Sequence, residues 1–118
     1  MEKSNMHVIL SAAISIDGKI STRSNDSKLS SQEDSIRLHK LRSKVDAILI
    51  GKNTMLQDDP LLTVRHTKGK NPRRIILDSK GIISKNSKII KTSDKIPTMI
   101  AVSKKISKAN LSKLKKRE

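Results

Sequence analysis

The sequence predicts an α/β fold with a largely parallel sheet. Short apolar runs alternate with helical patterns, which is the signature of strands joined by crossovers. Each run stops at a Gly or Asp turn, and the polar punctuation collects at those stops. In a parallel sheet these are the carboxyl ends of the strands, outside which ligands sit. A chain of 118 residues supplies one domain or part of one.

His7–Ile16 is apolar and ends at Asp17-Gly18, so it reads as a strand followed by a turn. Ser21–Lys28 is polar and aperiodic, a loop. Ser30 followed by Glu33 is a capping box that opens a helix running to about Lys44. Leu38, Leu41 and Val45 give that helix one buried stripe. Asp46–Ile50 is a short β-run that stops at Gly51. A polar turn carrying Thr54 follows, then a rigid return loop with Asp58-Asp59-Pro60. Leu61–Arg65 is a second apolar run with a basic end. Arg74–Leu77 is the next strand and stops at Asp78-Ser79. Pro97–Val102 is another, and Ser107–Lys116 begins a helix whose lysines suit its negative end.

Composition removes several functions. There is no Phe, Tyr or Trp, so the core is aliphatic and base-stacking platforms are absent. There is no Cys, which excludes disulfides, zinc–thiolate sites and cysteine nucleophiles. With three scattered His, no metal site is expected. No apolar run approaches the roughly 20 residues of a membrane span. Met1–Met6 is too short and polar for a signal peptide, so a cytoplasmic protein is expected.

The net charge of +15 invites a nucleic-acid reading. Its distribution argues otherwise. Residues 1–66 balance at +2 and residues 67–118 at +13, the excess being mostly Lys among Ile, Ser and Asn. That is a compositional bias more than a patch. It attracts small anions and causes salt-dependent sticking to polyanions, and no dedicated nucleic-acid partner is expected.

Taken singly, the polar motifs are each double-edged. Lys19, at the exit of the Asp17-Gly18 turn, is a solvated turn lysine or an ammonium that meets a phosphate or a reacting atom. His39 and Arg42 lie one helical turn apart. Arg42 either forks onto a phosphate or lies on a solvated helix face, and His39 reads as a surface or packing residue rather than a base. Thr54, Asp58 and Asp59 offer oxygens to a ribose or amide, or are turn chemistry before a proline. Arg65 grips an anion or ends a strand. Asp78-Ser79-Lys80-Gly81 has small polar groups whose backbone N–H groups suit phosphate, but it is neither a dinucleotide fingerprint nor a Walker loop.

In combination they are specific. Ser15-Ile16-Asp17-Gly18-Lys19, the His39-x-x-Arg42 helix, Asp46–Gly51, Thr54 with Asp58-Asp59-Pro60-x-Leu62-Thr63-Val64-Arg65, and Asn71-Pro72-x-Arg74–Ser79 occur in this order. The chain resembles the reductase of riboflavin biosynthesis, a dihydrofolate-reductase-like family, from about His7 to Val102. The resemblance implies a dihydrofolate-reductase-like α/β fold with a mostly parallel sheet flanked by helices. It also implies NADPH as cofactor and a phosphorylated ribosylaminopyrimidine as substrate, whose ribosylamino side chain is reduced to ribitylamino. No covalent nucleophile is required, because hydride transfer to an imine carbon mainly demands alignment.

By that resemblance Ala13, Leu29, Thr54, Asp58 and Ser79 contact the cofactor, together with the turn residues Asp78, Lys80 and Gly81. Ser27, Arg42, Leu62 and Arg65 hold the substrate, the arginines taking its phosphate. Lys19 orients the reacting end and is the candidate proton source. The absence of Cys means no zinc deaminase domain, so the stand-alone archaeal or fungal type is the nearer match. Family members continue further, through strands and a Gly-Gly loop that residues 1–118 lack. The chain is therefore expected to be the N-terminal portion of one reductase domain, a homodimer when complete, and by itself poorly stable and weakly active. A pterin-like substrate on the same fold, or a non-enzymatic basic binding module, are the alternatives.

Overall fold

The computed structural model describes residues 5–12, 16–19 and 31–115. The chain divides into two units, residues 1–31 and 32–118.

In the first unit the expected turn is present. Ile16 and Asp17 form it, and Gly18 takes φ +80°, a left-handed conformation that glycine reaches without strain. The strand expected over His7–Ile16 is absent from the described part of that span, residues 13–15 lying outside the described residues. Residues 5–12 carry no strand pairing, and Met6, Val8 and Leu10 stand exposed. The residue types are right for a strand, but a strand is a paired state, and an apolar run with no ladder partner gains neither backbone hydrogen bonds nor burial.

The second unit holds seven elements. They are α1 (Gln32–Lys44), β1 (Ala47–Gly51), α2 (Lys52–Asp58), β2 (Arg73–Leu77), α3 (Lys88–Lys91), β3 (Thr98–Ala101) and α4 (Lys108–Lys115). The three strands form one parallel sheet in the order β1-β2-β3. Every strand expected in this part of the sequence is present within a residue or two. The helices α2 and α3 were not expected. In α2 only Met55 is buried, and α3 is a single turn whose two buried residues, Ile89 and Ile90, are adjacent. Neither displays a helical period to be read.

α1 obeys dipole logic, with Glu33 and Asp34 in its first turn and Arg42 and Lys44 in its last. Ser30, its expected cap, lies outside the described residues. The expected stripe of Leu38, Leu41 and Val45 is only half-buried, and the buried residue of α1 is His39.

Register aligns Ile48, Arg74 and Thr98 across the sheet, and Ile50, Ile76 and Ile100 one step on. This face packs on Met55, Leu62, Ile83, Ile89, Ile90 and Leu114 to make the core. Burying each such aliphatic side chain contributes about 1.5–3 kcal/mol. The opposite face carries Leu49, Leu77 and Met99, all about half exposed. One position in the core layer is charged. Arg74 is fully buried, and its five N–H groups reach Thr98 Oγ1 twice, Thr92 Oγ1, and the carbonyls of Leu61 and Ile89. It ties β2 to β3, to α3 and to the return loop after α2.

Candidate functional site

The return loop is held in an uncommon shape. Asp59 closes α2 with φ 42°, its N–H bonded to the Met55 carbonyl, and Leu62 follows with φ 56°. Positive φ is rare for a residue as large as Leu. It persists here because the loop is fixed from several sides. The Leu62 side chain is buried in the core. Arg74 Nη1 holds the Leu61 carbonyl at 3.1 Å. Asn71 Oδ1 accepts the Val64 N–H at 2.8 Å, and His39 Nδ1 accepts the Arg65 N–H at 2.9 Å. Asp59 Oδ1 accepts the Lys88 N–H at 2.9 Å, capping α3 across 29 residues of sequence.

This loop meets the end of α1. Arg42 Nη1 donates to the Thr63 carbonyl at 3.2 Å. Because His39 Nδ1 accepts a hydrogen bond, the neutral ring carries its proton on Nε2. Nε2 and Arg42 Nη1, 3.5 Å apart, are then two donors side by side. His66 stands edge-on to His39, with ring centroids 4.5 Å apart. Burial, then the Arg42, His66 and Arg65 charges, lower the His39 pKa from 6.5 to about 4. Burial and the Arg65 charge also lower that of Arg42. Arg42 Nε is buried with no hydrogen-bond partner. Two guanidiniums that repel each other, one with an unused donor, make a site that an anion would relieve.

A second group lies at the strand ends. Thr54 is exposed in the first turn of α2, and Asp58 is exposed at its last residue. Asp78 is fully buried. Its N–H bonds to the Ala101 carbonyl and its Oδ2 accepts the Ile83 N–H, both at 3.0 Å, while Oδ1 has no partner. The Ser79 and Lys80 carbonyls are held by Ser103 and Asn110, and both residues are exposed. Gly81 is buried at φ +64°, its N–H bonded to the Asp78 carbonyl. A Cβ there would lie 2.6 Å from Ile106 Cδ1. Two amides of this turn are thus already engaged, and Asp78 and Gly81 shape it from inside.

The structure therefore brings Arg42, Leu62 and Arg65 together and sets Thr54, Asp58, Ser79 and Lys80 on the surface beside the strand ends. Lys19 is exposed in the first unit. Ala13, Ser27 and Leu29 lie outside the described residues. Three contributors went unassigned in the sequence reading: His39 as an acceptor, Asn71 and Arg74. All three fall in the quoted motifs, and the His39–Arg42 spacing was the available signal. Two shallow depressions of about 360 and 300 Å³ lie on the described surface, at Lys108–Lys115 and between Met55 and Ser87. The second is lined in part by Asp59, and neither is lined by Arg42, Arg65, Thr54 or Asp58. Among the described residues no helix is long and apolar enough to cross a membrane.

Comparison with known proteins matches residues 6–117 to the RibD C-terminal domain. A 2,5-diamino-6-ribosylamino-4(3H)-pyrimidinone 5′-phosphate reductase from Methanothermobacter thermautotrophicus is 40% identical over 114 residues, covering 94% of this chain and 52% of that one. The reductase of the same name from Aquifex aeolicus is 39% identical, covering 92% and 50%. A solved deaminase/reductase from Thermotoga maritima superposes with a TM-score of 0.68 at 31% identity, covering 84% of this chain and 29% of that one. The chain spans about half the length of these two reductases. The parallel α/β sheet with its flanking helices is the dihydrofolate-reductase-like arrangement, and the chain belongs to the RibD C-terminal domain family.

Proposed function

We propose that this chain is the N-terminal part of a reductase that uses NADPH to convert the ribosylamino side chain of a pyrimidinone 5′-phosphate to ribitylamino. The observation that carries the reading is Arg42, which donates to the Thr63 carbonyl, feels the Arg65 charge and keeps its Nε buried and unpartnered. A phosphate dianion cancels the repulsion between the two and accepts from the orphan donor. A pterin-like substrate without phosphate leaves both unexplained.

In this reading Arg42 and Arg65 take the 5′-phosphate, and Ser27 and Leu62 are substrate-holding residues by the family resemblance alone. The residues at the strand ends fit a nicotinamide dinucleotide, because Thr54, Asp58, Ser79 and Lys80 present hydroxyls, a carboxylate and an ammonium at the surface. By the family resemblance Ala13 and Leu29 contact the cofactor, and Asp78 and Gly81 hold the turn that displays Ser79 and Lys80. When bound, NADPH supplies the hydride. By the same resemblance Lys19 orients the C1′ end of the ring-opened ribosylamine and donates the balancing proton to its nitrogen. Hydride transfer to an imine carbon asks chiefly for alignment. The complete protein is read as a cytoplasmic homodimer, which sedimentation of the full-length form tests.

Calorimetric titration of NADPH at moderate salt into the chain and into Asp58→Ala tests the cofactor half. Saturable binding that the substitution weakens supports the reading. Equal binding by both proteins that fades with salt overturns it, in favour of nonspecific basicity.

A further inference from the structure

Arg42 and Arg65 come from different elements, a helix end and a loop, and like charges do not gather unaided. His39 is the residue that joins them. Its ring is 4% exposed. Nδ1 accepts the Arg65 N–H at 2.9 Å, which fixes the point where the Arg65 side chain leaves the backbone. The protonated Nε2 edge lies 3.5 Å from Arg42 Nη1, which itself donates to the Thr63 carbonyl at 3.2 Å. One imidazole thus touches the backbone at residue 65 and the guanidinium of Arg42.

We propose that His39 is a positioning residue of the anion subsite, its neutral ring setting the Arg65 backbone and the Arg42 fork before the phosphate arrives. The proposal rests on the reading that these two arginines take the substrate phosphate. It requires the neutral ring, for a cationic one would lose its acceptor and add a third positive charge beside the pair. The surroundings enforce neutrality through burial and through the charges of Arg42, His66 and Arg65. Preorganisation of this kind raises affinity by removing the ordering that binding would otherwise require. Packing alone would not demand an acceptor at this position, since an apolar side chain of similar size fills the same space.

The test is calorimetric titration of ribose 5-phosphate into the full chain, His39→Asn and His39→Leu, with ribose as control and thermal melts to establish folding. Asn places Oδ1 close to where Nδ1 sits and keeps the acceptor, whereas Leu keeps only volume. Loss of that one acceptor is expected to weaken ribose 5-phosphate binding about tenfold in His39→Leu, with His39→Asn within about threefold of the native chain. Equal affinity in all three folded proteins overturns the proposal, as does a loss in Asn equal to that in Leu. Should His39→Leu not fold, His39→Gln replaces it, because its amide reaches past the Nδ1 position. Weaker binding by Gln than by Asn then supports the proposal, and parity overturns it. If the native chain binds no ribose 5-phosphate, the phosphate reading itself fails and takes this role with it.

Discussion

Replacing Arg74 by Met is expected to destabilise the second unit by about 3 kcal/mol. Arg74 is fully buried in the middle strand, and its guanidinium is held by neutral acceptors, two hydroxyls and two carbonyls. Met keeps most of the apolar stem, so cavity formation is a small part of the effect. The polar losses differ by partner. Thr98 Oγ1 and Thr92 Oγ1 keep other bonds, to the Ile96 and Lys88 carbonyls at 2.8 Å each. The Leu61 carbonyl loses its guanidinium donor, and the Ile89 carbonyl keeps only the long bond from the Thr92 hydroxyl at 3.4 Å; an orphaned buried acceptor costs about 1–3 kcal/mol. Against this stands relief from burying a cation, whose guanidinium pKa burial already lowers. The lost and weakened acceptors outweigh that relief because five bonds now solvate the charge. Thr98→Val, which removes the acceptor shared by Nε and Nη2, is expected to cost about 2 kcal/mol. Urea unfolding followed by circular dichroism measures both, the shift appearing in the midpoint at unchanged slope. A change under about 0.5 kcal/mol in both variants would refute the assignment of Arg74 as the tie between strand, helix and loop.

Three further outcomes are expected. The folded-state pKa of His39 is lowered, to about 4 from 6.5, so the unfolded chain binds the extra proton between those values. Stability is therefore full above pH 6.5 and lost as pH falls toward 4, by on the order of 3 kcal/mol. Urea midpoints across that window should fall in the native chain and stay flatter in His39→Asn; parallel profiles would contradict the assignment. Gly81→Ala places a Cβ 2.6 Å from Ile106 Cδ1 at φ +64°, and a melting-temperature loss equivalent to about 2 kcal/mol is expected, part strain and part overpacking. Asp59→Ala removes the acceptor for the Lys88 N–H, which is expected to cost about 1 kcal/mol. Asp59→Asn should recover most of it in the same melts, since Asn tolerates the left-handed conformation and keeps an acceptor oxygen.

What the sequence disclosed follows from the range of the forces involved. β1, β2 and β3 were legible because a parallel strand is a short β-branched run cut off by Gly, Asp or Pro, a purely local pattern. α1 was legible from the Ser30–Glu33 capping box and from the spacing of Leu38, Leu41 and Val45. α2 and α3 were hidden, since each hangs from one or two buried residues and a short polar sequence gives no period. The segment before Asp17 shows the converse. Its apolar run, cut off by a turn, meets the local criteria for a strand, yet pairing is a long-range event and residues 5–12 have none. At the site, the arginines could be singled out by charge and by resemblance. Their geometry could not, because it depends on one backbone amide finding a ring nitrogen 26 positions away.

The same residues explain why the loop tolerates an unfavourable backbone. Leu62 at φ 56° costs on the order of 1–3 kcal/mol, and the Arg42–Arg65 repulsion adds to it. The repulsion does not benefit the fold, and a sequence selected only for stability would carry an uncharged residue at 42 or 65; the strain at Leu62 is offset by burial of its side chain in the core. The fold instead applies four restraints to five residues: the Leu62 side chain in the core, Arg74 on residue 61, Asn71 on 64 and His39 on 65. Restraint of that density exceeds what a connecting loop needs. It suits the anion subsite proposed for Arg42 and Arg65, because side chains whose backbone is set in advance lose less freedom on binding phosphate.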